Sequence, residues 1–103
     1  MKESTNHTLI TNPQNIICIG LNYADHIEET SLATHEFPEI FMKTSNALAS
    51  HQDTVLIQDE NLHYDYEGEL VIIIGKAGKN ISREQAKEHI LGYTIGNDVS
   101  ARA

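Results

Sequence analysis

Basic residues are scarce in this chain. Seven Lys and Arg stand against fifteen Asp and Glu, giving a formal net charge of −8 at pH 7. That balance argues against the phosphate backbone of nucleic acid and against anionic membranes as partners. Cysteine occurs once, as Cys18 between Ile17 and Ile19, which excludes an internal disulfide and suits a reduced, buried thiol. No apolar run reaches the length of a membrane span. The start, Met1-Lys2-Glu3-Ser4-Thr5-Asn6-His7-Thr8, lacks the apolar stretch of a signal peptide. Internal repeats and low-complexity tracts are missing too. These absences lead to the expectation of a soluble, cytoplasmic protein with no nucleic-acid or membrane partner. At 103 residues the chain is one domain at most, and its 40% hydrophobic content is compatible with a folded core.

The pattern along the chain predicts a β-rich protein with two short helices. Residues 1–14 are polar and read as a flexible start. Asn15 to Gly20 reads as a first strand, after which Asn22 can cap a short helix over Tyr23 to Glu29. Residues 31–38 lack periodicity and read as a loop. Glu39 to Lys43 and Thr54 to Ile57 are short strand candidates, and Val71-Ile72-Ile73-Ile74, closed by Gly75, reads as a buried strand. Ser82 and Gln85 have capping-box spacing, with Ile81 and Ala86 set for a hydrophobic staple, so a second helix is predicted to run until Gly92. An extended segment from Gly92 to Asn97 follows. The tyrosines read as packing residues with a polar tip. The histidines other than His26 have no metal-ligand spacing and read as solvated or structural.

The chemistry concentrates in three acids. Glu67 and Glu69, in Tyr66-Glu67-Gly68-Glu69-Leu70, lie one residue apart where the apolar strand begins. Alternation along a strand turns both to one face, roughly 6.5 Å apart at Cα. Two carboxylates so placed repel unless a positive charge sits between them, and a hard divalent cation is the simplest candidate. Asp98 follows in Gly96-Asn97-Asp98-Val99-Ser100-Ala101-Arg102. His26 and Glu29 are three residues apart, so on a helix they share a face and can pair. Lys43 and Arg102 are cations able to neutralise substrate carboxylates, Arg in bidentate fashion.

Four segments in order resemble the fumarylacetoacetate hydrolase family: Ile17-Cys18-Ile19-Gly20-Leu21-Asn22-Tyr23-Ala24-Asp25-His26, Pro38-Glu39-Ile40-Phe41-Met42-Lys43, Asp65-Tyr66-Glu67-Gly68-Glu69-Leu70 and Gly92-Tyr93-Thr94-Ile95-Gly96-Asn97-Asp98-Val99-Ser100-Ala101-Arg102. The resemblance spans residues 15–103 and implies the amino-terminal part of a catalytic domain, a mixed β-sandwich roll with short helices that is incomplete here. It implies a homodimer acting on a small 2-oxo acid or 1,3-dicarbonyl substrate, by C–C bond hydrolysis or decarboxylation through an enolate. It also implies Mg²⁺, or Mn²⁺ or Ca²⁺, held by Glu67, Glu69 and Asp98. His26 with Glu29 is implied as the catalytic base pair, with Arg102 and Lys43 at substrate. The alternative is a truncated, non-catalytic fragment that retains metal ligands or acts only in assembly.

Overall fold

The computed structural model describes residues 13–24 and 37–102. Six strands form there: β1 (Ile16–Gly20), β2 (Glu39–Lys43), β3 (His63–Asp65), β4 (Gly68–Ile74), β5 (Ile90–Asn97) and β6 (Ser100–Arg102). The chain is strand-rich, as its pattern predicts. It divides into two compact units, Met1–Val55 and Leu56–Ala103.

In the first unit, β1 and β2 pair antiparallel, from Ile16 opposite Lys43 to Gly20 opposite Glu39. Both strands occupy the predicted segments, because Ile, Phe and Cys side chains suit a pleated surface. Cys18 is not part of a disulfide and is half-buried rather than buried. Beyond β1, Leu21 turns the chain at φ 50°. A left-handed conformation costs a leucine about 1–2 kcal/mol, so the surrounding chain must hold this turn in place. Thr54 to Ile57 forms no strand. Its β-branched residues find no ladder partner, and propensity without a partner does not make a strand.

The second unit is one long hairpin with an interruption. β3 pairs β6 from His63 opposite Arg102 to Asp65 opposite Ser100. β4 pairs β5 from Gly68 opposite Asn97 to Ile73 opposite Gly92. Three steps separate Asp65 from Gly68, and three separate Ser100 from Asn97, so the register is continuous. By that register Tyr66 faces Val99 and Glu67 faces Asp98. At the far end Ile74 pairs Ile90, leaving Leu91 as the extra residue of a bulge. There Gly75 is required: an added Cβ would lie 2.7 Å from Leu91 Cβ. The Gly75 N–H donates to the His89 carbonyl at 2.9 Å, and His89 Nδ1 lies 2.9 Å from the Lys76 carbonyl. That histidine is structural.

Three expectations are corrected in this unit. The helix expected from Ser82 to Gly92 is reduced to the 3₁₀ turn Ala86–His89. Half of the capping box forms, with the Gln85 N–H donating to Ser82 Oγ at 3.3 Å. Helix cannot continue because Ile90 is drawn into the ladder opposite Ile74, and Gly92 sits inside β5. The apolar strand is one-sided rather than buried throughout: Val71 and Ile73 are half-buried, whereas Leu70, Ile72 and Ile74 are exposed. Tyr66 and Tyr93 are exposed rather than packed, as is Tyr23 in the first unit.

Candidate functional site

The interruption of the hairpin carries two of the three acids, Glu67 and Asp98, and Glu69 follows at the start of β4. Glu67 faces Asp98 across the register, and Glu69 lies two residues along from Glu67 on the same arm of the hairpin, so all three belong to one face. Burial agrees: Glu67, Glu69 and Asp98 are half-buried, while Tyr66, Gly68 and Asn97 are exposed. Cross-strand partners sit about 4.5–5.5 Å apart at Cα. Gly96 is opposite Glu69 and presents no side chain, and a Cβ there would lie 2.8 Å from Val71 Cγ2. The acid face therefore narrows to backbone beside Glu69.

Polar side chains of the downstream segment explain the interruption. The Asp98 N–H donates to the Glu67 carbonyl at 2.8 Å, as in an ordinary ladder. The return bond is missing. Instead the Glu67 N–H donates to Asn97 Oδ1 at 3.0 Å, and the Asp98 carbonyl accepts from Ser100 Oγ at 3.0 Å. Two side chains thus replace one backbone pair, and the hairpin stays in register while its ladder opens at the acids. Sequence reasoning missed Asn97 and Ser100 as structural parts of the site. Short polar residues flanking Asp98 were the available signal, because such side chains compete readily with backbone partners.

Arg102 meets the acids from β6. Its side chain ion-pairs with Glu67 through Nη2 and with Asp65 Oδ2 through Nε at 3.3 Å. Carboxylates sharing one face of a hairpin repel one another. One guanidinium offsets only part of that. Among the described residues no three His, Cys, Asp or Glu side chains gather closely enough to hold a metal ion. The residues fit a hard cation by donor chemistry and by shared face. Their side chains are not gathered around a common point, and the Glu67 carboxylate is engaged by Arg102.

The remaining site residues stand as follows. Lys43 ends β2, opposite Ile16 and half-buried, in the first unit. His26 and Glu29 lie outside the described residues. Leu21, with its left-handed turn, is the last described outlier before that segment.

Comparison with known proteins places the chain in a family. Residues 15–103 match the family described as fumarylacetoacetate (FAA) hydrolase, C-terminal. The chain belongs to the fumarylacetoacetate hydrolase family. It is 46% identical over 93 residues to the mitochondrial oxaloacetate tautomerase fahd2 of Xenopus laevis, covering 90% of this chain and 29% of that protein. It is 47% identical over 90 residues to the fumarylacetoacetate hydrolase domain-containing protein 2 homolog of Dictyostelium discoideum, covering 87% of this chain and 30% of that one. In structure it is similar to an HpcE candidate from Mycobacterium smegmatis, with a TM-score of 0.75 at 32% identity, covering 86% of this chain and 31% of the other. The chain therefore spans about three tenths of the length of these relatives.

Proposed function

We propose that this chain forms part of a divalent-metal-dependent enzyme acting on a 2-oxo acid or 1,3-dicarbonyl substrate. The observation that carries the proposal is the shared face of Glu67, Glu69 and Asp98, set on opposite arms of one hairpin in a continuous register and flanked by an arginine. The kinship with oxaloacetate tautomerase of Xenopus laevis supports a 2-oxo acid as substrate.

Glu67, Glu69 and Asp98 would hold Mg²⁺, with Mn²⁺ or Ca²⁺ as substitutes, through carboxylate oxygens. When bound, the ion supplies Lewis-acid polarisation of a substrate carbonyl. The chain's own residues carry the rest. Arg102 and Lys43 bind anionic substrate groups. His26, with its tautomer fixed by Glu29, takes a proton from water or from the carbon beside the carbonyl. The Asn97 and Ser100 hydrogen bonds hold the Glu67–Asp98 pair in place while this happens. A homodimer is the assembly proposed, and the cytoplasm the compartment, although the Xenopus relative is named mitochondrial.

The test is an assay of oxaloacetate tautomerisation and of acylpyruvate hydrolysis, with the natural full-length chain. Turnover should fall to background in EDTA and return with Mg²⁺. Glu67→Gln and Asp98→Asn should each lower kcat/KM by about a hundredfold or more, the order expected when a charge-stabilising group is lost. Equal turnover with and without EDTA, in wild type and both variants, would overturn the proposal.

A further inference from the structure

We infer that Arg102 and a divalent cation compete for Glu67, so that entry of the ion releases the Arg102 guanidinium from the acid face. The inference rests on the metal reading above and adds an order of events to it. Arg102 pairs with His63 across the β3–β6 ladder, and its side chain runs along the strand it faces, bonding Asp65 and then Glu67. His63, Asp65 and Glu67 alternate onto one face, so the guanidinium sits over the same surface as the acids. It stands as the positive charge at one end of the Glu67–Glu69–Asp98 group.

A doubly charged ion drawn to Glu67 meets a fixed positive charge already bonded to that carboxylate. Like charges a few ångströms apart repel, and a charge-assisted bond to Glu67 must be given up or shared. Asp65 offers the guanidinium a second anchor at 3.3 Å, so release from Glu67 does not set Arg102 adrift. The freed N–H groups then face the site where an anionic substrate would arrive. Metal first and substrate second is the order this contact favours, since Glu67 offsets the charge of the guanidinium until the ion arrives. The rival arrangement is a bridging Glu67, with one oxygen on Arg102 and the other on the ion, in which no competition exists.

The test is calorimetry with MgCl₂ and MnCl₂ on the natural full-length chain, as wild type, Arg102→Met and Arg102→Lys. Glu67 and Arg102 are partly exposed, which limits the energy of their contact. Arg102→Met should therefore bind either ion about three- to tenfold more tightly, with Arg102→Lys falling between. A second readout needs no variant. The Nε–Hε resonance of Arg102 in ¹⁵N-arginine-labelled wild type should shift during Mg²⁺ titration, and its hydrogen exchange should quicken at the calorimetric midpoint. Unchanged or weaker metal binding in Arg102→Met, or an Arg102 resonance unmoved at saturation, overturns the competition and leaves the metal reading standing. Failure of wild type to bind either ion overturns the metal reading and this inference with it.

Discussion

Asn97→Ala isolates the device that opens the hairpin at the acids. In the native chain the Glu67 N–H has lost its ladder partner and donates to Asn97 Oδ1 at 3.0 Å. A neutral hydrogen bond of that kind contributes about 0.5–1.5 kcal/mol net. Asn97 is exposed and Glu67 only half-buried, so water can replace part of the loss, and about 1 kcal/mol is expected. The assay is native-state hydrogen exchange at the Glu67 amide, supported by urea unfolding. A loss of about 1 kcal/mol corresponds to roughly fivefold faster exchange. Asn97→Asp keeps an acceptor and should retain protection, while adding a fourth negative charge beside the three acids. Protection of the Glu67 amide unchanged in Asn97→Ala would refute the assignment and mean that the Glu67 N–H bonds the backbone after all.

Further predictions concern the proposed catalytic pair, the acid face and the segment between β4 and β5. His26→Ala should abolish hydrolysis with metal affinity nearly intact by calorimetry, whereas lost metal binding would make His26 a ligand. Gly96→Val should weaken Mg²⁺ binding and lower stability by about 1–3 kcal/mol, the range for overpacking, because the Cβ alone already crowds Val71 Cγ2 at 2.8 Å; unaltered urea midpoints would contradict it. His89→Ala should speed exchange of the amides around Lys76 and Gly78 while leaving turnover unchanged, since its ring nitrogen meets only the Lys76 carbonyl.

Some elements were legible in the sequence because their signals are local. The apolar runs within Ile16–Gly20, Glu39–Lys43 and Gly68–Ile74 carry their own propensity, and each forms a strand. The spacing of Glu67 and Glu69 reads off alternation alone. Features that depend on distant partners were not legible. Ile90 joins the ladder because Ile74 is there to receive it, and that pairing cuts short a helix whose capping box half-forms. Thr54 to Ile57 has strand propensity without a partner. The Arg102–Glu67 ion pair joins residues 35 apart, set by a register that neither segment specifies by itself. The same holds for Asn97 and Glu67, where the choice of a side-chain oxygen over a backbone one emerges only once the strands are aligned.

The central claim is that one face of this hairpin binds a single divalent cation through three carboxylates. Calorimetric titration of the metal-free, natural full-length chain with Mn²⁺, paired with electron paramagnetic resonance of the bound ion, tests it most directly. One ion per chain is predicted. Its affinity should fall at least tenfold in each of Glu67→Gln, Glu69→Gln and Asp98→Asn, as expected when an anionic ligand is lost from a hard-cation site. An unaltered affinity in any one of the three variants would remove that residue from the site, and wild-type affinity in all three would contradict the claim.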